Sequence, residues 1–212
     1  MDFFEVVHTQ RSIRKFKTDP VPDEAIWKMI DAAIRAPSGS NSQPWAWLVV
    51  RDEEKKRVLA DAIRAWFESS GRLQRMRENV SSREDPTRRR MMERAIELMS
   101  NMAAAPVLFI PCLVNLTSPV RDMNSLFAGS SIYGAVQNLM LAARALGLGS
   151  VLTTLNIVTE DLIRREFGLP DSAQPVAIVP VGYPLGQRFG PTSRKPVDTV
   201  TYWDTWGATK GH

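Results

Sequence analysis

Residues 126–146 predict one long helix whose apolar positions run almost all the way round it: Phe127, Ile132, Ala135, Val136, Leu139, Met140, Leu141, Ala142 and Leu146. A helix without a polar face is central, buried in its domain or in a subunit interface. Gly147 follows it as a natural C-terminal stop. The rest of the chain must therefore be built around this helix. Apolar runs at 45–50, 107–114, 150–155 and 176–181 read as strands, and amphipathic stretches between them read as helices. One short helix opens the chain at 2–10. A second is introduced by Val21-Pro22-Asp23-Glu24 with Asp23 as N-cap, and Ile26, Met29, Ile30, Ala33 and Ile34 recur at helical spacing until Pro37 closes it. Further helices are expected at 53–67, 87–102 and 160–167. Strands separated by long helices make an α+β or α/β domain.

The 212 residues, 44% hydrophobic and 24% charged, are enough for one domain with a proper core and exclude a disordered or fibrous chain. The net charge of +4 is modest, and no nucleic-acid partner is expected. Its local concentration, Arg88-Arg89-Arg90 followed by Arg94, reads as a solvated helix face, with an anionic cosubstrate or nucleic acid as the alternative. A single cysteine, Cys112, excludes an intramolecular disulfide framework and lies in an apolar run, as a buried core thiol would. No charged-then-apolar leader follows Met1 and no run reaches the ~20 residues that span a bilayer. A cytoplasmic location is expected, with the sequons at Asn79 and at Asn115-Leu116-Thr117 occurring by chance.

Two regions resist patterning. Residues 67–102 contain a polar segment (69–83), a break at Asp85-Pro86 and the methionines Met76, Met91, Met92, Met99 and Met102, which suit core filler or an adaptable lid. The tail 190–212 carries Tyr202, Trp203 and Trp206 without a period, and aromatics in such an arm dock on something, most simply a second copy of the chain.

Familiar catalytic apparatus is missing. Gly147-Leu148-Gly149 lacks the third glycine of a dinucleotide fingerprint, and neither a Walker A sequence nor a G-x-S-x-G elbow occurs. With only His8 and His212, a metal cluster or a serine–histidine relay is not expected. Any reactive group is then a bound organic cofactor rather than a side chain. Two segments look suited to a polar, anionic, planar ligand. Arg11, Ser12 and Arg14 offer two guanidiniums and a hydroxyl within four residues, and Pro37-Ser38-Gly39-Ser40-Asn41 offers backbone N–H groups and short side chains in one loop. Arg194-Lys195 adds charge, and Thr153-Thr154 ends a strand. A phosphate, a polyol and a flat heteroaromatic ring would use all of these, and FMN has all three.

The ordered set Arg-Ser-Ile-Arg-Lys-Phe (11–16), Ala-Pro-Ser-Gly-Ser-Asn-Ser-Gln-Pro-Trp (36–45), Gln137-Asn138-Leu139-Met140-Leu141-Ala142-Ala143, Gly147-Leu148-Gly149-Ser150, Gly182-Tyr183-Pro184 and Arg194-Lys195-Pro196-Val197-Asp198 resembles the FMN-dependent nitroreductase family over most of the chain, 67–102 excepted. That resemblance implies an α+β fold with a central mixed or antiparallel sheet flanked by helices, and an intertwined homodimer with FMN at its interface. It also implies that Arg11, Ser12 and Arg14 hold the phosphate and pyrimidine edge, with Arg194 returning to the phosphate. Pro37, Ser38, Gly39 and Asn41 would come from the partner chain, and Leu152, Thr153 and Thr154 would approach the flavin from the strand end. Gln10 stands where many relatives have a first arginine, which weakens one phosphate contact. The implied activity is ping-pong hydride transfer from NADH or NADPH through flavin N5 to a nitroaromatic, quinone or enone, with Arg14 beside the N1/C2 edge and the hydroxyl of Thr154, or of Thr153, as partner of N5. The alternatives are a dehalogenase of the deiodinase branch, and a flavin-sequestering or flavin-consuming protein. Halotyrosine recognition is not expected, because Tyr133, Tyr183 and Tyr202 all lie outside the lid candidate.

Overall fold

A computed structural model describes residues 1–115 and 126–210. Its organising element is strand β2 (Val107–Val114), which is buried on both faces along nearly its whole length. The side chains alternate. Val107, Phe109 and Leu113 enter one hydrophobic cluster, and Leu108, Ile110 and Cys112 enter the other. All the strand pairs are antiparallel. Strand β1 (Trp45–Val50) lies on one side of β2, and on the other β4 (Ala173–Pro175) and β5 (Val179–Gly182) follow one another along it. Strand β3 (Gly149–Ser150) then pairs with β5 at the far edge.

Helices cover both faces. On one, α2 (Asp23–Ala33) packs on α7 (Tyr133–Ala145); on the other, α3 (Glu53–Ser69) meets α5 (Pro86–Ser100) and α8 (Glu160–Phe167). The opening helix α1 (Phe3–Thr9) is capped by Asp2, whose carboxylate accepts from the Phe4 and Glu5 N–H groups, and it lies against α7.

Several expectations need correction. The N-cap of α2 is Pro22, and Asp23 is already helical, pairing with Arg51. The polar segment 69–83 contains a regular helix, α4 (Arg72–Ser81), which buries only Leu73 and packs on α5; one buried residue in ten leaves little period to detect. Residues 126–146 do not form one helix. A short α6 (Leu126–Ser130) ends in a turn and α7 begins afresh after Ile132, whose φ of -132° is non-helical. The Gly129-Ser130-Ser131 sequence weakens the helix there, since serine competes for backbone hydrogen bonds. Helix α7 is central, as expected, but not buried all round: Tyr133 remains 44% exposed and Gln137 is exposed. The strand expected over 150–155 is reduced to Gly149–Ser150 plus a bridge from Thr153 to Ile178, because Leu155–Val158 turns into a 3-10 helix. The strand expected at 176–181 is shifted to Val179–Gly182, preceded by β4. Gly147 stops α7 with φ +77°, and Cys112 is buried. Leu116, Thr117, His212 and the side chain of Phe127 lie outside the described residues.

Candidate functional site

The segment after α1 is extended because both of its sides are tied down. Ser12 makes a parallel bridge to Ser150 at the sheet edge, and the Ile13 N–H donates to the Ser150 carbonyl at 3.0 Å. Lys15 and Lys17 then pair with Leu185 and Tyr183 through backbone hydrogen bonds. Ile13 and Phe16 anchor the segment in the core, while Arg11, Ser12 and Arg14 stay half-buried. A side chain from the other end of the chain completes the clamp: the Gln187 Oε1 accepts from the Arg14 N–H at 2.7 Å and the Lys15 N–H at 3.1 Å. Nothing in the sequence marks Gln187 for this task. Its partners lie more than 170 residues away.

Among the described residues, no carboxylate or carbonyl accepts from the guanidinium of Arg11 or Arg14. Burial, then Arg11, then Arg94 hold the Arg14 guanidinium below its ordinary pKa. Arg94 belongs to α5 and is half-buried, unlike the exposed Arg88, Arg89 and Arg90. The charge run therefore divides. Arg88 faces Asp85 and Arg89 donates to the Arg83 carbonyl, as a solvated face would, while the exposed Arg90 donates to the Pro86 carbonyl of its own helix. Arg94 instead joins the cationic cluster and has no acceptor among the described residues. Half-buried like charges without a counter-ion are costly unless an anion is to be bound.

Leu152, Thr153 and Thr154 continue from β3 along the same sheet edge. The Thr153 hydroxyl donates to the Ile178 carbonyl at 2.8 Å, and the Thr153 backbone makes both hydrogen bonds of a bridge to Ile178. Thr154 is exposed, and its hydroxyl has no partner among the described residues. Of the two threonines, Thr154 is the one with a free donor.

The Pro37–Asn41 loop sits elsewhere. The Ser38 Oγ accepts from the Gln43 N–H at 2.9 Å, and the Ser131 Oγ accepts from the Gly39 N–H at 3.1 Å. Ser40, Asn41 and Gln43 all have positive φ, near 50°, so this exposed turn holds three side-chain-bearing residues in the left-handed region. Such strain persists where the surroundings over-determine it, often at binding sites. Through Ser131 the loop is attached to the start of α7. The arginine segment is attached to the end of the same helix, where the Arg144 Nε donates to the Thr9 Oγ1 at 2.9 Å and Gly149 abuts Ile13. The thirteen residues of α7 span about 20 Å. Within one chain, the helix thus holds the two halves of the expected site apart.

Arg194 lies on the exposed arm, where its guanidinium donates to the Ser193 carbonyl at 2.9 Å; no ion pair or hydrogen bond joins it to the arginine segment among the described residues. The root of the arm is fixed by Arg144, which lies over the Phe189 ring at 4.2 Å, and by the Gly190 N–H, which donates to the Thr9 carbonyl. Arg144 is a buried cation on the largely apolar helix α7, and that mismatch was the available signal. Among the described residues, no group of three potential metal ligands is assembled. Among the described residues, no helix is long and apolar enough to cross a membrane.

A model of the nitroreductase family matches residues 7–183. The chain belongs to that family. Its family relatives include a putative NADH dehydrogenase/NAD(P)H nitroreductase of Methanothermobacter thermautotrophicus, 30% identical over 189 residues that cover 87% of this chain and 78% of the relative. The rat iodotyrosine deiodinase 1 is 29% identical, covering 94% of this chain and 68% of that protein. Among solved family structures, a BluB-like flavoprotein of Clostridium difficile superposes with a TM-score of 0.67 at 25% identity, over 97% of this chain and all of the other. The antiparallel sheet and its flanking helices are thus the family fold.

Proposed function

We propose that the chain is an FMN-dependent NAD(P)H oxidoreductase acting on flat electrophiles such as nitroaromatics, quinones or enones. The observation that carries this reading is the pair of half-buried guanidiniums of Arg11 and Arg14, without an acceptor among the described residues, beside Ser12 and the Leu152–Thr154 edge. Two cations clamped on a sheet edge, with a free hydroxyl nearby, fit a ligand carrying a phosphate and a polar ring edge.

FMN, when bound, would supply the two-electron hydride chemistry that no side chain here can perform. Arg11 and Ser12 would bind the phosphate, with Arg194 joining them if the arm folds back. Arg14 would sit beside the pyrimidine edge, where a fixed cation stabilises developing negative charge without reorganisation. The Gln187 clamp holds the Arg14 backbone in register for that task. The Thr154 Oγ has a proton to donate at the ring edge. Pro37, Ser38, Gly39 and Asn41 would come from a second copy, since α7 keeps this loop away from the chain's own arginines. The exposed Trp27, Phe3, Phe4, Tyr133 and Trp206 give such a homodimer apolar surface to bury.

The absorbance spectrum of the purified protein tests this, repeated anaerobically with NADPH and then NADH. Flavin bands that bleach and then recover with a nitroaromatic or a quinone are expected. In Arg14→Ala, turnover should fall even where flavin stays bound; unchanged flavin reduction would remove the role given to Arg14. A colourless protein that cannot be reconstituted with FMN would refute the reading. A second reading, reductive dehalogenation, is favoured by the deiodinase relative. An iodotyrosine arm in the same assay separates the two, and no tyrosine lies on α4 or α5 to grip that substrate.

A further inference from the structure

Helix α5 is tied to the arginine segment by the ion pair between Glu97 and Lys15. The Asp85 carboxylate caps its first turn, accepting from the Thr87 and Arg88 N–H groups, and Leu98 and Met99 seat its C-terminal half in the core. Arg90, Glu93, Arg94 and Glu97 fall at i, i+3, i+4 and i+7 and so share one face of the helix. That face looks across a cleft of about 410 Å³ at Lys15 and the Leu185–Gly186 turn. The cleft therefore opens next to the residue that follows Arg14.

The charges in it do not cancel. Lys15 and Glu97 are paired at 2.7 Å. Arg90 spends its Nε on the Pro86 carbonyl of its own helix, and Glu93 is exposed on the rim without an ion pair among the described residues. Arg94 is left half-buried with no acceptor among the described residues. A guanidinium in that position presents a planar fork of donors suited to a carboxylate or a phosphate. The volume admits an anionic substituent and the ring or ribose that bears it.

We infer that this cleft is a subsite for the anionic group of a small substrate, a phosphate or a carboxylate, and that Arg94 is its specificity-determining cation. The inference rests on the oxidoreductase reading for the identity of the substrates, but not for the existence of the site. Such a group could come from the electron donor, as the 2′-phosphate that distinguishes NADPH from NADH. It could equally come from the acceptor, as the carboxylate that distinguishes 4-nitrobenzoate from nitrobenzene.

The experiment measures binding of NADP⁺ against NAD⁺, and of 4-nitrobenzoate against nitrobenzene, by calorimetry, for the wild type, Arg94→Gln, Arg94→Lys and Arg89→Gln. KM ratios for the same pairs, with NADPH and NADH as donors, are taken in parallel. In one pair, Arg94→Gln should lower affinity for the member that bears the extra phosphate or carboxylate about tenfold relative to the member that lacks it, the loss of one charge-assisted contact. Arg94→Lys should restore part of the preference. Arg89→Gln, the same charge change on the same helix but pointed at the Arg83 carbonyl, should leave the ratio where it was. The pair that responds identifies the source of the anion. Ratios unchanged in both pairs, or an equal loss in Arg89→Gln, would overturn the inference. So would loss of bound flavin in Arg94→Gln, which would make Arg94 a cofactor ligand. Calorimetry needs no flavin, so a wild type that fails to load FMN refutes the oxidoreductase reading while the cleft is still judged on its own data.

Discussion

Gly149 offers a direct test of how the arginine segment is held. A Cβ built on it lies 2.6 Å from both the Cβ and the Cγ2 of Ile13, and 2.8 Å from the Cγ1, where ordinary contact begins near 3.4 Å. Ile13 is fully buried, and because its own Cβ is among the clashing atoms, no χ1 rotation relieves the contact. In Gly149→Ala the displacement, about 0.8 Å, must be taken up by the backbone that carries Arg11, Ser12 and Arg14. Overpacking of this kind costs about 1–3 kcal/mol, which lowers Tm by roughly 2–12 °C in a chain of this size. Because the Ile13–Ser150 hydrogen bond is strained at the same time, FMN affinity should fall about tenfold if Arg11 and Arg14 hold the phosphate and ring edge. Gly147→Ala is the control. Its Cβ would meet nothing within 4 Å, but its φ of +77° makes alanine cost about 1–2 kcal/mol through the backbone alone. Both variants should lose stability in urea titrations, and only Gly149→Ala should also lose flavin by equilibrium dialysis. A Gly149→Ala protein with wild-type stability, or equal flavin loss in the two variants, would refute the reasoning.

Two further outcomes follow from buried groups. Lys56 is 1% exposed, and its ammonium donates to the Glu53 Oε1 at 2.7 Å and the Ala105 carbonyl at 2.8 Å, tying α3 to the entry of β2. Lys56→Met should cost about 2–4 kcal/mol in urea unfolding by leaving a buried carbonyl unpaired, whereas Glu53→Gln, on the exposed side, should cost under about 1 kcal/mol; equal costs would refute the assignment. Burial pushes the Cys112 thiol from its ordinary 9.0 up to about 11, against a smaller opposing effect of Arg164. The native state then holds its proton where the unfolded chain has released one, so this stabilisation is complete below pH 9 and is lost as pH rises towards 11. The stability difference between the wild type and Cys112→Ala should shrink by roughly 2–3 kcal/mol across that window, and a constant difference would contradict it.

The elements legible in the residues were those with a strong period or a strong stop. Strand β2 and helices α2, α3 and α8 sit within two or three residues of where their patterns place them, and Gly147 ends α7 where its φ requires a glycine. Helix α4 was not legible, because it buries one residue fully and only Met76 and Val80 in part, while most of its other residues are exposed. The break at 131–132 was hidden inside an apolar run, and it matters because it frees the Ser131 hydroxyl for the Gly39 N–H. Residue type and short spacing in Arg11, Ser12 and Arg14 were enough to suggest an anion site, and the family resemblance added Thr154; both stand as proposals.

Sequence by itself determined the family, through motifs in a set order along the chain, and the sheet's principal strands and the chemical character of the cationic segment, which depend on neighbours within a few residues. Tertiary structure alone decided that Gln187 clamps the Arg14 backbone, that Arg94 leaves its charge run to join Arg14, and that α7 separates the 37–41 loop from the arginines. Each of those is a contact, or a distance, between segments far apart in the chain. No local pattern encodes it, because closing such loops is settled by the packing of the whole core.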